Sequence, residues 1–137
     1  MTLVVQPVTV QYAAQVWPLV EEHIEEALKY ANGDYTIDQL KAFVCTGQQT
    51  LIVAVDSDNK IQGAATIFFD NGPNDRVAFI TAVGGKMITG KDTFLQLRAV
   101  LGLQGATKIQ GAVRPSMARL SKKYGFNEVA VLMEIKL

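Results

Sequence analysis

The spacing of apolar residues changes period several times along this chain, and each change marks an element. Leu3–Val8 is short, β-branched and apolar, and reads as a strand. Its Pro7 points to an edge or a strand end. Val16, Trp17, Val20, Ile24, Ala27, Leu28 and Ala31 then recur at helical spacing, with Glu21, Glu22, Glu25 and Glu26 mostly on the other side. Pro18 is expected in the first turn of this helix, where a missing N–H costs little, and Asn32-Gly33 is expected to end it. A second helix runs to Cys45, with Thr36 as its N-cap and Ile37, Leu40, Phe43 and Val44 as its buried stripe. Gly47 stops it.

From Thr50 the period shortens. Thr50–Val55 is a continuous apolar run of strand length, 56–60 is a hairpin turn, and Ile61–Phe69 is the return strand. A second turn over 71–75 leads to Arg76–Val83, which is apolar enough throughout to be central in a sheet. Gly84-Gly85 is expected to break it. Phe94, Leu97 and Leu101 mark a helix over about 90–104, packed across the central strand, and Gly105 closes it. Thr89-Gly-Lys-Asp92 has the [ST]-x-x-[DE] form of a capping box for that helix. Lys108–Val113 reads as a strand. Pro115–Tyr124 reads as a short helix with Pro at its start and Gly125 past its end. Phe126–Leu137 reads as a final strand. The predicted order is β-α-α-β-β-β-α-β-α-β, an α/β (α+β) mixed sheet with helices on its faces. With 137 residues and no linker or repeat, 1–137 is expected to be a single domain.

Composition narrows the chemistry. Lys+Arg and Asp+Glu are both 13, so no net charge draws the protein to nucleic acid or an anionic membrane. The one cysteine, Cys45, excludes an internal disulfide and a multi-Cys zinc site. With His23 as the one histidine, a His-based metal site has too few ligands. No leader and no membrane-length apolar run is visible, so a soluble, cytoplasmic protein is expected. The Glu-rich face of the first helix reads as a solvated surface, or as an acidic rim attracting a cationic amine. His23, beside the apolar stripe, reads as structural.

The element order resembles the GNAT fold of acyl-CoA-dependent N-acyltransferases over nearly the whole chain. Two helices follow the first strand, a β-meander comes next, and a glycine-containing turn leads into the central helix. The segment Met117-Ala-Arg-Leu-Ser-Lys-Lys-Tyr-Gly-Phe126 resembles the family's short helix ending in Gly-Phe. The Ala82-Val-Gly-Gly85 turn and Arg114-Pro-Ser-Met-Ala-Arg119 resemble, more narrowly, small GNAT-like proteins of tailed bacteriophages.

That resemblance implies acetyl-CoA as cofactor and an amine-bearing small molecule or protein as acceptor. It places the pyrophosphate on backbone N–H groups at the start of the central helix. The candidate cofactor-binding residues are Gly84, Gly85, Lys86, Gly90 and Lys91, with Thr81, Ala82 and Val83 along the acyl group and Arg114 opening the short helix. The same glycines can also be read as a simple turn. The family motif Gln/Arg-x-x-Gly-x-Gly/Ala fits neither register: Met87 and Asp92 stand at its ends in one, Ile88 and Gly85 fill its places in the other. A Thr89–Asp92 capping box would occupy the same N–H groups and put a carboxylate beside them. The family's general acid, a Tyr four residues before the Gly of Gly-Phe, maps onto Ser121, with Tyr124 next to the glycine. Both are candidate catalytic residues. The basic helix of Arg114, Arg119, Lys122 and Lys123 reads as a surface, or as a contact for the CoA 3′-phosphate or for nucleic acid, without the aromatic interleaving of a single-strand platform.

Two functions follow from the resemblance. One is an N-acetyltransferase-like protein, phage-encoded, in the cytoplasm of a bacterial host. The other is a GNAT-fold component without chemistry, acting in phage morphogenesis or in the virion with phage structural proteins as partners. Homo-oligomerisation is compatible with either.

Overall fold

A computed structural model describes residues 2–31, 33–113 and 115–137, without the side chains of Ser116 and Met117. Nine elements follow one another: β1 (Val4–Val8), α1 (Val10–Leu28), α2 (Ile37–Cys45), β2 (Thr50–Val55), β3 (Ile61–Asn71), β4 (Arg76–Gly85), α3 (Lys91–Leu103), β5 (Lys108–Gly111) and α4 (Pro115–Lys122). The strands form one sheet in the order β1-β2-β3-β4-β5. All neighbours are antiparallel except β4 and β5, which are parallel and joined through α3. This is the mixed α/β sheet of the GNAT fold.

Alternation along the strands builds two cores. Leu51 and Val53 face α1 and α2, where they meet Trp17, Val20, Ile24, Leu40 and Val44. Ile52 and Ala54 face the other way, toward Phe94, Leu97 and Leu101 of α3. β2 is therefore apolar on both sides because both sides are covered.

Several boundaries differ from the expectation. α1 begins at Val10, one and a half turns before Val16, and so carries Pro18 in its interior. Pro18 is exposed, while Ala13, Trp17, Val20 and Ile24 bury one stripe. Burial of that stripe outweighs the lost backbone hydrogen bond. Gly84 and Gly85 continue β4 rather than break it, pairing with Ala64 and Gly63. The strand can run on because both glycines lie under α1. A Cβ on Gly84 would stand 2.3 Å from the His23 carbonyl oxygen, and Gly85 has φ +64°. β4 is interior, as its apolar run predicted, with β3 in the middle of the five. α3 packs on the face opposite α1, in one core with Ala78, Ile80 and Val83 of β4. Its closest partner is β1, where Gln96 accepts from Val5 N at 3.0 Å and donates to the Leu3 carbonyl at 2.8 Å. α1 is the helix that lies over β3 and β4.

The capping box sits on α2, not α3. Thr36 Oγ1 accepts from Gln39 N at 3.2 Å and Gln39 Oε1 accepts from Thr36 N at 2.9 Å. The N-cap of α3 is Gly90, one residue after Thr89, without a side-chain cap bond. That single-residue offset removes Asp92 from the N3 position a capping box needs; its carboxylate accepts instead from Gln96 Nε2 at 3.2 Å. The expected final strand is also absent among the described residues. Beyond Phe126 the backbone pairs with no strand of the sheet.

Candidate functional site

The site grows from one irregularity in β4. Thr66 pairs with Ala82, but the next residue, Ile67, pairs with Ile80. Thr81 is thus an extra residue, a bulge. It reverses the parity of the strand. Ala78 and Ile80 face the α3 side before it, whereas Ala82 faces α1 and Val83 faces α3 after it. The β4–β5 ladder ends at the same place. It covers Val77↔Lys108 to Ile80↔Gly111, and the described pairing of Ala82–Gly85 is to β3. The two parallel strands therefore separate where β4 is bulged.

A buried polar network holds the bulge. Thr81 Oγ1 donates toward Gln49 Oε1 at 2.6 Å, with the Thr66 carbonyl as a second acceptor at 3.0 Å. The Thr66 and Thr81 hydroxyls are 2.7 Å apart. All three side chains are buried. Sequence reasoning passed over Gln49 and Thr66. The available signal was a threonine inside each of two apolar strand runs, since a buried hydroxyl needs a partner.

On the α1 side of this separation lies a small open cleft of about 20 Å³, room for about one water. Phe79, Ile80, Thr81 and Ala112 form one wall, and Leu28, Ala31, Asp34 and Tyr35 form the other. Asp34 is exposed and brings a carboxylate to the cleft. It too was missed, because it sits in the α1–α2 connection, where no periodicity singles it out. The four glutamates of α1 lie elsewhere, on a shallow outer groove with Pro18 and Lys29. There Glu26 holds Lys29 at 2.8 Å and raises its pKa.

On the other side of the sheet, β4 leads through 86–90 into α3. Lys86 and Lys91 are exposed, and Lys86 N donates to the Gln62 carbonyl at 2.8 Å. Met87 is fully buried against Phe94 and Leu97. Tyr124 reaches this loop from the end of α4. Its hydroxyl donates to the Ile88 carbonyl, and its ring lies 5.1 Å from that of Phe94. Ser121 is on α4, where its carbonyl accepts from Tyr124 N at 3.0 Å. The structure thus gathers Lys86, Gly90, Lys91 and Tyr124 at the start of α3 and puts Thr81, Ala82 and Val83 at the strand separation. Gly84 and Gly85 lie between them, in contact with α1. Arg114 lies outside the described residues.

Among the described residues no group of three His, Cys, Asp or Glu side chains could hold a metal ion. No helix among them is long and apolar enough to cross a membrane.

The five-stranded mixed sheet with its bulged interior strand and parallel last pair has the GNAT fold. Solved structures agree. An aminoglycoside acetyltransferase from an uncultured soil metagenomic sample, solved with sisomicin, matches with TM-score 0.70 and 13% identity, over 98% of this chain and 96% of that one. Glucosamine-6-phosphate N-acetyltransferase from Arabidopsis thaliana gives TM-score 0.61 and 12% identity, over 99% of both chains. Aminoglycoside 6'-N-acetyltransferase AAC(6')-Ih from Acinetobacter baumannii gives TM-score 0.63 and 10% identity, over 99% of this chain and 98% of that one. No protein-family model matches the sequence, and no curated protein sequence matches it.

Proposed function

We propose that residues 1–137 form one N-acetyltransferase-like unit that takes acetyl-CoA and an amine. The observation that carries this reading is the coincidence of the Thr81 bulge with the end of the β4–β5 ladder at Ile80↔Gly111. It leaves a stretch of β4 backbone open on the β5 side, next to a helix start whose cap uses no side chain.

The residues fit the cofactor. A pyrophosphate suits the first-turn N–H groups of α3, which carry the positive end of the helix dipole. Gly90 lets phosphate approach the backbone closely, and exposed Lys86 and Lys91 add charge. Arg114 is the further cation proposed for this site from the sequence. Acetyl-CoA supplies a thioester whose carbonyl carbon accepts the amine. A backbone N–H near Val83 that faces the open β5 side would hold the developing negative charge on its oxygen. The acceptor would approach at the mouth of this small cleft, where exposed Asp34 would attract a cationic amine and take its proton. Tyr124, a phenol and so a stronger acid than an alkyl hydroxyl such as that of Ser121, would supply the proton for the leaving sulfur. This use of Tyr124 requires its hydroxyl to turn away from the Ile88 carbonyl.

A second reading is favoured by one observation: Met87, at the motif's Gln/Arg position, points into the core. On that reading the fold serves assembly, as in a phage particle, and binds no acetyl-CoA. Calorimetry with acetyl-CoA at two salt concentrations, together with thiol release from a panel of primary amines, separates the two. The enzymatic reading expects micromolar binding that weakens with salt and with Lys91→Ala. Absence of binding at millimolar acetyl-CoA overturns it and leaves the assembly reading.

A further inference from the structure

We propose that the acceptor of this protein is a primary amine carried on an apolar, ring-bearing body, an arylalkylamine, rather than a polycation or a sugar amine. The inference rests on the acetyltransferase reading for its chemistry and on one face of the sheet for its binding site.

The floor of that site follows from strand alternation. Ile67 and Phe69 of β3, with Ala78 and Ile80 of β4, pack into the core on the α3 side. Phe68 and Phe79 therefore point to the opposite face, the one that carries α1 and α2. The two are register partners, so their side chains stand next to each other there. Gln110 of β5, the partner of Phe79, continues the row. Both β3 and β4 are interior strands, and on this face the rows further along β3 are sealed under the helices: Ala64 and Thr66 are fully buried. Phe68 lies one row past that cover and is 41% exposed, with Phe79 half-buried beside it. Two phenyl rings in the middle of the sheet thus meet solvent at the rim of the helical layer.

The surroundings of the rings select the ligand. Phe79 also lines the small cleft at the strand separation, opposite Leu28, Asp34 and Tyr35. The cleft has room for about one water, so the body of an acceptor lies outside it, across the rings. Tyr35 is held edge-on by Phe43, with ring centroids 6.0 Å apart, and adds an aromatic side chain at the mouth. Among the described residues that line the cleft, exposed Asp34 is the one charged group. One carboxylate beside an aromatic floor matches one ammonium on an apolar body. A sugar would set its hydroxyls on phenyl surface that offers them no partners. The next row on this face, Asp70–Val77–Lys108, holds one charge of each sign and so draws no second ammonium.

The transfer joins the amine nitrogen to the acetyl carbon and breaks the carbon–sulfur bond. The ammonium loses two protons, one to Asp34 and one, in net, to the sulfur, leaving a neutral amide and a thiol. The amide no longer answers the Asp34 carboxylate, which favours its release.

Chemical-shift titration of the isotope-labelled protein, without acetyl-CoA, tests the site directly. The probes are phenethylamine, phenylbutylamine, methylamine, glucosamine and spermidine at one ionic strength. The better phenylalkylamine should bind at least about tenfold more tightly than each of the other three, with shifts centred on Phe68 and Phe79. Phe79→Ser and Phe68→Ser should each cut that advantage at least about threefold and leave methylamine unchanged. Phe68→Ser, at the more exposed ring, keeps the test open if Phe79→Ser fails to fold by circular dichroism. Asp34→Asn should weaken every amine. In thiol release from acetyl-CoA, kcat/KM should follow the same order of amines. Equal affinity for phenylalkylamines and methylamine overturns the proposal, as does an advantage that survives the ring variants, even where acetyl-CoA binds and some other amine is acetylated. A ring preference in a protein that binds no acetyl-CoA upholds the amine site and overturns the acetyltransferase reading instead.

Discussion

Replacing Thr81 with Val tests whether the bulge in β4 depends on the buried hydroxyl. The substitution keeps the shape and the β-branch, so strand preference and packing volume change little. It removes the donor to Gln49 Oε1 and the acceptor of the Thr66 hydroxyl. Gln49 is buried, so its oxygen is stranded without water, at about 1–3 kcal/mol. The Thr66 hydroxyl loses an acceptor as well, which adds about 1 kcal/mol. Together Thr81→Val should destabilise the protein by about 2–4 kcal/mol. For a chain of this size that lowers the melting temperature by roughly 10 °C. Urea denaturation followed by circular dichroism gives the free energy directly. Thr81→Ser, which keeps the hydroxyl, should cost about 1 kcal/mol. The double variant Thr81→Val with Gln49→Leu should lose at least about 1 kcal/mol less than the sum of the singles, because removing both partners leaves nothing stranded. If Thr81→Val lies within about 0.5 kcal/mol of the parent, the network does not hold the bulge and the reasoning fails.

Thr36→Ala should cost about 1 kcal/mol by removing the observed capping box of α2, whereas Thr89→Ala, lying outside the cap of α3, should stay within about 0.5 kcal/mol in the same denaturation assay. Gly84→Ala should destabilise by about 2–3 kcal/mol because its Cβ meets the His23 carbonyl, while Gly102→Ala, with open space around it on α3, should stabilise by about 0.5 kcal/mol. Asp75 and Asp56 are held below the usual 3.8, Asp75 first by its bond from Lys108 and then by Thr107, and Asp56 first by the Lys60 N–H and then by Gln62. Carboxyls depressed in the folded state add stability above their unfolded value, and this stability is lost as pH falls through the folded one. Melting temperature should therefore drop below about pH 4, and Asp75→Asn should flatten that drop; an unchanged slope would count against the pair.

The strands and helices were legible because their periods are clean. β2 and β4 read as buried from unbroken apolar runs, and the α3 stripe at 94, 97 and 101 is buried as read. Three features were not legible, each because a distant contact decides it. The start of α1 runs through Gln11, Ala14 and Gln15, which face solvent, so no stripe announces it. The cap of α3 depends on which of two adjacent residues leaves extended backbone, and Thr89 has the better capping side chain although Gly90 takes the position. The last segment has the composition of a strand, but a strand needs a partner, and the residues that would pair with it are no property of its own sequence. For the site, Thr81 was named for its backbone, while Gln49 and Asp34 are brought to it by the fold across sequence separations that no local pattern spans.

The same distinction decides how the start of α3 should be judged. Read as a string, Met87 is a missing cation, and the anion site looks degenerate. In the structure Met87 packs fully buried beside Phe94 and Leu97, so an arginine there would place a guanidinium in the apolar core at a cost of several kcal/mol. The position is committed to holding the loop down, as Tyr124 is from the other side through the Ile88 carbonyl. Two inward anchors hold this loop, and Lys86 and Lys91 at its ends are exposed. Backbone donors bind an anion by position rather than by side-chain identity. An anion site of this kind survives side-chain replacement as long as the loop keeps its path. On the proposed reading, anion binding at this loop would turn on the packing of Met87, Phe94 and Tyr124 more than on a match to a motif of charged side chains.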